Sequence, residues 1–316
     1  NVARSAEEIA EAYRAGRDHR LSRTISSTDL SAKTKLPFYV AADRPGTYLE
    51  ATVGESSLVN MFAGDPDLKG YWPLDENSTG AAAVTRNDYS GNGNNLTDNA
   101  TVTSTQGKIG KAGQFTRANS EYLSIADNTA LSTGNIDFSV SAWVYLDSIP
   151  ADDFIIMNKI GGAGQYEYSL MYDKPSFDRF FFRVSGDGTA TTTVYADNFG
   201  AASANTWYLV TAWHDTTANK IYIQVNNGAP NETAHSTGVF DSTTALTVGG
   251  KSTGSYWNGK IDEAMFLKRV LTADERRQMF EVGRRTHPIT IDFATAPSVA
   301  CNSCTTLSVT KPSGIN

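Results

Sequence analysis

From about residue 70 the chain is a succession of short apolar runs separated by polar turns. The clearest run is Phe138–Leu146, in which Phe138, Val140, Ala142, Val144 and Leu146 share one face of a period-two pattern, the signature of a half-buried strand. Further strands are predicted at Tyr71–Asp75, Gln114–Phe115, Glu121–Ile125, Phe154–Lys159, Tyr166–Tyr172, Arg179–Val184 and Thr191–Ala196. Trp207–Trp213, Lys220–Val225 and Leu246–Gly249 continue the series. Asn226-Asn227-Gly228 marks a hairpin turn, and residues 87–95, rich in Asn, Gly and Ser, form a tight loop. Many short strands with regular turns predict an all-β fold of two packed antiparallel sheets.

The last strand leads into a helix. The stretch from Gly254 to Glu275 reads as a turn, a strand carrying Asp262 and Glu263, and a capped helix start. Thr272 stands three residues before Glu275, the spacing of a capping box, and Gly283 is read as the helix stop. Ser5, Glu8, Tyr13 and Gly16 repeat Thr272, Glu275, Phe280 and Gly283 at a constant offset of 267 residues (283 − 16). Residues 1–20 are therefore read as the terminal helix of a preceding repeat-like unit. Residues 21–68 are a connecting β segment, with strands at Leu36–Val40 and Thr47–Val53 around the turn Asp43-Arg44-Pro45-Gly46. Residues 69–285 form the main domain, and residues 286–316 begin a following β segment. Both ends are expected to continue into, or be shared with, neighbouring units.

Composition narrows the function. Charged residues make up only 19% of the 316, and the net charge is −7, which argues against nucleic acid because phosphate binding needs a basic footprint. No run of eighteen apolar residues exists, so no membrane-spanning helix is expected. Cys301 and Cys304 form a lone Cys-x-x-Cys; the four histidines show no ligand spacing. A local disulfide or two free thiols is one reading of the pair, and redox or metal chemistry the other.

Five ordered motifs carry a resemblance to a known family. They are Tyr71-Trp72-Pro73-Leu74-Asp75-Glu76, Asp88–Asn94, Asp137–Val144, Asn205–Thr211 and Trp257–Glu263, followed by the capped helix. Residues 69–285 resemble a laminin-G-like, concanavalin A-like jelly-roll domain of the kind repeated in bacterial surface proteins. The resemblance implies an antiparallel jelly-roll sandwich and an extracellular, cell-surface setting.

Four chemistries come into question. The 88–94 loop offers Asp88, Asn92 and Asn94 as oxygen donors for Ca2+, and the resemblance implies Asp262 as a partner; the alternative is plain turn chemistry. Tyr256 and Trp257 are candidates for stacking on a sugar ring, although Trp257, like Trp72, Trp143 and Trp207, lies in a scaffold motif where aromatics fill the sandwich. Looser sugar candidates are Tyr166, Tyr172, Phe177 and Asp178. Catalysis is not expected, because adjacent Asp262 and Glu263 on a strand point to opposite faces and no second acid motif faces them. The expected function is a non-catalytic extracellular module that binds a glycan or another surface ligand in adhesion. The alternative is a filament subunit whose terminal β segments pair head to tail with copies of itself.

Overall fold

A computed structural model describes residues 58, 61–149, 152–173 and 176–284. The expectations for residues 1–20, the two β segments at either end, the Cys301–Cys304 pair and strand exchange between copies fall outside the described residues.

Among the described residues, fifteen strands and one α-helix follow in order. They are β1 (Leu68–Trp72), β2 (Thr97–Asp98), β3 (Thr103–Gln106), β4 (Lys111–Phe115), β5 (Leu123–Ile125), β6 (Phe138–Leu146), β7 (Phe154–Ile160) and β8 (Tyr166–Asp173). Then come β9 (Arg179–Ser185), β10 (Thr191–Tyr195), β11 (Trp207–Asp215), β12 (Lys220–Val225), β13 (Asn231–Ala234), β14 (Leu246–Val248), β15 (Gly259–Leu267) and helix α1 (Ala273–Arg284). Eight strands form one sheet in the order β13-β12-β11-β6-β15-β4-β3, with β1 also paired to β15; seven form the other, β10-β9-β8-β7-β14-β5-β2. All the described pairings are antiparallel. The all-β sandwich expected from the alternation is the fold observed. The short, polar edge strands β2, β3 and β13 have no apolar rhythm and go beyond the strands expected.

The core lies between the sheets, where the inward positions of β6 meet Leu170, Phe180, Phe182 and Leu246. The outer faces differ. That of the eight-stranded sheet is apolar and covered: Trp143, Leu209, Met265 and Leu267 pack against Leu58, Phe62, Leu271 and Met279. Helix α1 supplies Met279 and stacks Phe280 on Trp143 with ring centroids 5.9 Å apart. The capping box forms as read, with Glu275 N–H donating to Thr272 Oγ1 at 3.2 Å and Thr272 N–H to Glu275 Oε2 at 2.7 Å. Arg269 clamps this helix start by donating to both oxygens of Glu275 and to Asp65. Gly283 has a different role from the expected one. It lies inside the helix, where a Cβ would come 2.2 Å from Trp143 Cζ2, so close approach to the indole, not a helix stop, requires glycine.

The outer face of the seven-stranded sheet is built otherwise. Strand register aligns Ser124, Thr247, Asn158, Ser169 and Arg183 across five neighbouring strands, β5, β14, β7, β8 and β9. Beside this polar row Ile155, Met171 and Phe181 form a small apolar patch with Tyr195 against it. Helix α1 packs on the other sheet, so this face is where sequence-distant polar side chains are presented together.

Candidate functional site

The loop expected to hold calcium closes on itself. Asp88 Oδ1 accepts the N–H groups of Tyr71 and Ser90 at 2.9 and 2.8 Å, and its Oδ2 accepts Ser90 Oγ–H and Asn94 N–H at 2.8 and 2.9 Å. Asn92 and Asn94 turn their amide nitrogens inward to donate to the carbonyls of Leu68 and Lys69. Asn94 Oδ1 in turn accepts Asn128 Nδ2 at 3.2 Å. Asp262, the implied fourth ligand, accepts instead from the backbone of another turn, Lys108 N–H at 2.7 Å and Ile109 N–H at 2.9 Å. A hard cation needs six to eight oxygens aimed at one point; both Asp88 oxygens and Asn94 Oδ1 are already committed to N–H and O–H donors, and Asp262, whose Oδ1 is buried without a hydrogen-bond partner, is bound to a different turn. Among the described residues no group of three His, Cys, Asp or Glu side chains converges as a metal site. In this arrangement the four residues do not fit the ion.

Asp262 and Glu263 correct a second expectation. A bulge between Asp262 and Met265 inserts one extra residue into β15, and Glu263 takes a left-handed conformation with φ 53°. The strict alternation therefore fails here. Asp262 faces the turn whose Lys108 lies over the Trp143 ring, and Glu263 accepts a hydrogen bond from the Tyr71 hydroxyl. Tyr71 and Trp143 belong to the same outer cluster, so both acids lie on the covered side of the eight-stranded sheet. Burial, and then the neighbouring charge of Glu263, pushes the Asp262 carboxyl well above the usual carboxylate range. Asp75 nearby is pushed up to about 6, by burial first and the Glu76 charge besides. At 0% and 1% exposure, neither Asp262 nor Glu263 borders an open cleft.

Trp257 is core. It is fully buried, 5.8 Å from the Phe154 ring centroid to centroid, and its Nε1–H donates to the Tyr145 carbonyl at 3.2 Å. It cannot stack on a ligand without leaving the sandwich, which corrects its candidacy as a sugar platform. Tyr256 is half-buried and lies 6.2 Å from Tyr122 between ring centroids, over Gly250. Of the looser candidates, Tyr172 is buried in the core with its hydroxyl on Asp178, and Phe177 is exposed and packed on Tyr195 at 4.3 Å. Tyr166 is half-buried near Arg183.

A cavity of about 290 Å³ opens on the outer face of the seven-stranded sheet. Its floor is Ser124, Asn158 and Thr247 from three adjacent strands. Tyr122 and Lys251 stand at its sides, and the turns at 161–162 and 252–253 form its lips. Asn158 is 1% exposed and donates its amide to the Ile160 carbonyl at 3.1 Å, which fixes the side-chain plane. Ser124 Oγ accepts Asn99 Nδ2 at 2.7 Å. Further along the row, Ser169 Oγ and Arg183 Nε are buried with no hydrogen-bond partner. A mostly apolar concavity with a few fixed polar groups is the usual form of a small-ligand site. Sequence reasoning misses these residues because each, taken alone, is the polar half of an ordinary alternating strand.

Comparison with known proteins places the fold. The family described as the concanavalin A-like lectin/glucanases superfamily, a laminin-G grouping, matches residues 117–275. No curated protein matches the chain. Among solved structures, the binding domain of Paraclostridial Mosquitocidal Protein 1 aligns with a TM-score of 0.54 at 13% identity, over 68% of this chain and 52% of that one. The binding domain of botulinum neurotoxin DC, solved with rat synaptotagmin II, aligns at 0.52 and 12% identity, over 70% and 52%. The chain thus spans about half the length of these toxin binding domains. Domain 4 of AbnA, an extracellular arabinanase from Geobacillus stearothermophilus solved with arabinotriose, aligns at 0.50 and 18% identity, over 67% of this chain and 98% of that domain. At these identities the likeness is one of fold. With fifteen strands in two antiparallel sheets among the described residues, five ordered motifs and a family match over half its length, this chain belongs to the concanavalin A-like lectin/glucanases superfamily.

Proposed function

We propose that the chain is a non-catalytic carbohydrate-binding module of an extracellular protein, and that it holds its ligand in the cavity on the seven-stranded sheet. The observation that carries this reading is the floor of Ser124, Asn158 and Thr247 beside the Tyr122–Tyr256 pair. A saccharide presents alternating hydroxyl donors and acceptors around a ring with apolar C–H faces. Small hydroxyl and amide side chains fixed on strands match the first, and a tyrosine ring matches the second. The similarity to an arabinanase domain solved with arabinotriose supports the same reading. The non-catalytic part rests on the burial of Asp262 and Glu263 away from the cavity, since glycoside hydrolysis needs two carboxylates flanking the bond. Attachment to a glycan-bearing surface is the role such a module would serve. Among the described residues no helix is long and apolar enough to cross a membrane.

The test is binding to an immobilised glycan panel by the wild-type chain, Asn158→Ala and Thr247→Val. A saccharide bound by the wild type and weakened about tenfold or more by each substitution, roughly 1.4 kcal/mol, is expected, with an unchanged near-ultraviolet circular dichroism spectrum. A bound saccharide indifferent to both substitutions would move the site elsewhere.

Calcium enters the proposal as dispensable. Because the 88–94 loop is closed by its own amides, neither calcium nor a chelator is expected to shift the melting temperature. A ligand held only by the folded state must raise it, so a calcium-dependent rise of several degrees, lost in Asp88→Asn, would overturn this.

A further inference from the structure

We infer that the cavity selects a saccharide bearing a carboxylate, with Lys251 as its counter-charge; this rests on the carbohydrate reading above and adds the ligand class. Lys251 belongs to the turn that follows β14, pinned by paired backbone hydrogen bonds between Lys251 and Gly254. It lines the cavity wall and is half-buried. Among the described residues its ammonium has neither a carboxylate nor a carbonyl partner, in contrast to Arg269, which is held by Asp65 and Glu275. The charge it does feel is the like charge of Arg183, and burial followed by that repulsion holds the Lys251 ammonium below its ordinary range.

Arg183 adds to the same field. Its Nε is buried and unpartnered two strands from Asn158, and its guanidinium lies over the Phe181 ring at 5.6 Å. The acid that faces Arg183, Asp153, is itself pushed up by burial and then by the charge of Asp173. Lys251 thus lines the concavity, with Arg183 two strands from its floor, in a chain whose net charge is −7. Partial burial of an unpaired cation carries a cost, and an anionic group entering the cavity reduces that cost while gaining a charge-assisted hydrogen bond. A neutral sugar offers the ammonium hydroxyl acceptors but no counter-charge. The floor of Ser124, Asn158 and Thr247 supplies the neutral hydrogen bonds that a sugar ring needs besides its charge.

The experiment is calorimetric titration of the wild-type chain, Lys251→Gln and Lys251→Arg with oligogalacturonate, oligoglucuronate and sialyllactose, each beside its methyl ester. At least one acid is expected to bind about tenfold tighter than its ester, and more weakly as salt is raised. Lys251→Gln is expected to abolish the preference for acid over ester, and Lys251→Arg to keep most of it. Equal affinity for acid and ester, or a preference that survives Lys251→Gln, would overturn the inference. Should only neutral glycans bind, and bind through Asn158, the anionic inference falls while the carbohydrate reading stands. Should no saccharide of either kind bind, both fall.

Discussion

Replacing Lys159 with methionine is expected to destabilise the fold by about 3–5 kcal/mol, the range for breaking a buried ion pair on one side. The Lys159 ammonium is fully buried and donates to Glu167 Oε2 at 2.6 Å and to the Ser242 carbonyl at 2.7 Å, with Asp127 Oδ1 2.8 Å away. Glu167, equally buried, also accepts from the backbone and hydroxyl of both Thr133 and Ser242. One ion pair therefore ties β7 and β8 to the loops around 127–133 and 242–244. Without the lysine, Glu167 keeps its neutral donors and loses its counter-charge. Chemical denaturation of Lys159→Met and of the double variant Lys159→Met/Glu167→Gln measures the effect. The double variant is expected to recover part of the loss, because glutamine buries no charge and its one carbonyl oxygen still accepts from either the Thr133 or the Ser242 donors, though not from both. A loss under about 1 kcal/mol in the single variant, the value of an exposed pair, would show that water reaches the site. The consequence reaches the ligand as well, since Asn158 precedes Lys159 and Thr244 lines the cavity.

The second large effect is expected at Gly259, where β15 begins. Its φ is 143°, and an added Cβ would lie 2.0 Å from the Tyr145 carbonyl oxygen and 3.0 Å from the Asp147 amide. Both neighbours are backbone and cannot rotate away. Gly259→Ala must distort the β15–β6 pairing and also hold a conformation that costs an L-residue roughly 1–3 kcal/mol, so a total above about 3 kcal/mol is expected. Gly254→Ala supplies the control. Gly254 has φ 132° with nothing within 4 Å of its Cβ position, so its smaller loss isolates backbone strain from collision. Equal losses at the two positions would mean that the β15–β6 pairing yields freely.

How far the sequence foretells this molecule depends on what each signal measures. Period-two alternation marks the core-facing positions, and Phe138–Leu146, Tyr166–Asp173 and Lys220–Val225 are legible for that reason, although the first two prove buried on both faces rather than one. β2 and β13, set by pairing rather than burial, are not. The bulge at Glu263 is invisible because a non-glycine residue in the left-handed region leaves no composition mark, and it brings Asp262 and Glu263 to one face. Gly283 reads as a helix stop because the indole that demands it, Trp143, lies 140 positions earlier in the chain. In the 88–94 loop the donor types are legible and their occupancy is not: Asp88 spends its oxygens on N–H and O–H groups of Tyr71, Ser90 and Asn94. The cavity is the extreme case. Ser124, Asn158 and Thr247 come from three separate runs and become neighbours only through strand register.

Recognition of saccharide through the outer face of the seven-stranded sheet is tested most directly by backbone amide chemical shifts, followed while the tightest saccharide from the panel is added. The expected perturbations centre on Ser124, Asn158, Thr247 and Lys251, leaving Trp143, Met265 and helix α1 unmoved. Perturbations confined to α1 and the covered face of the eight-stranded sheet would contradict it.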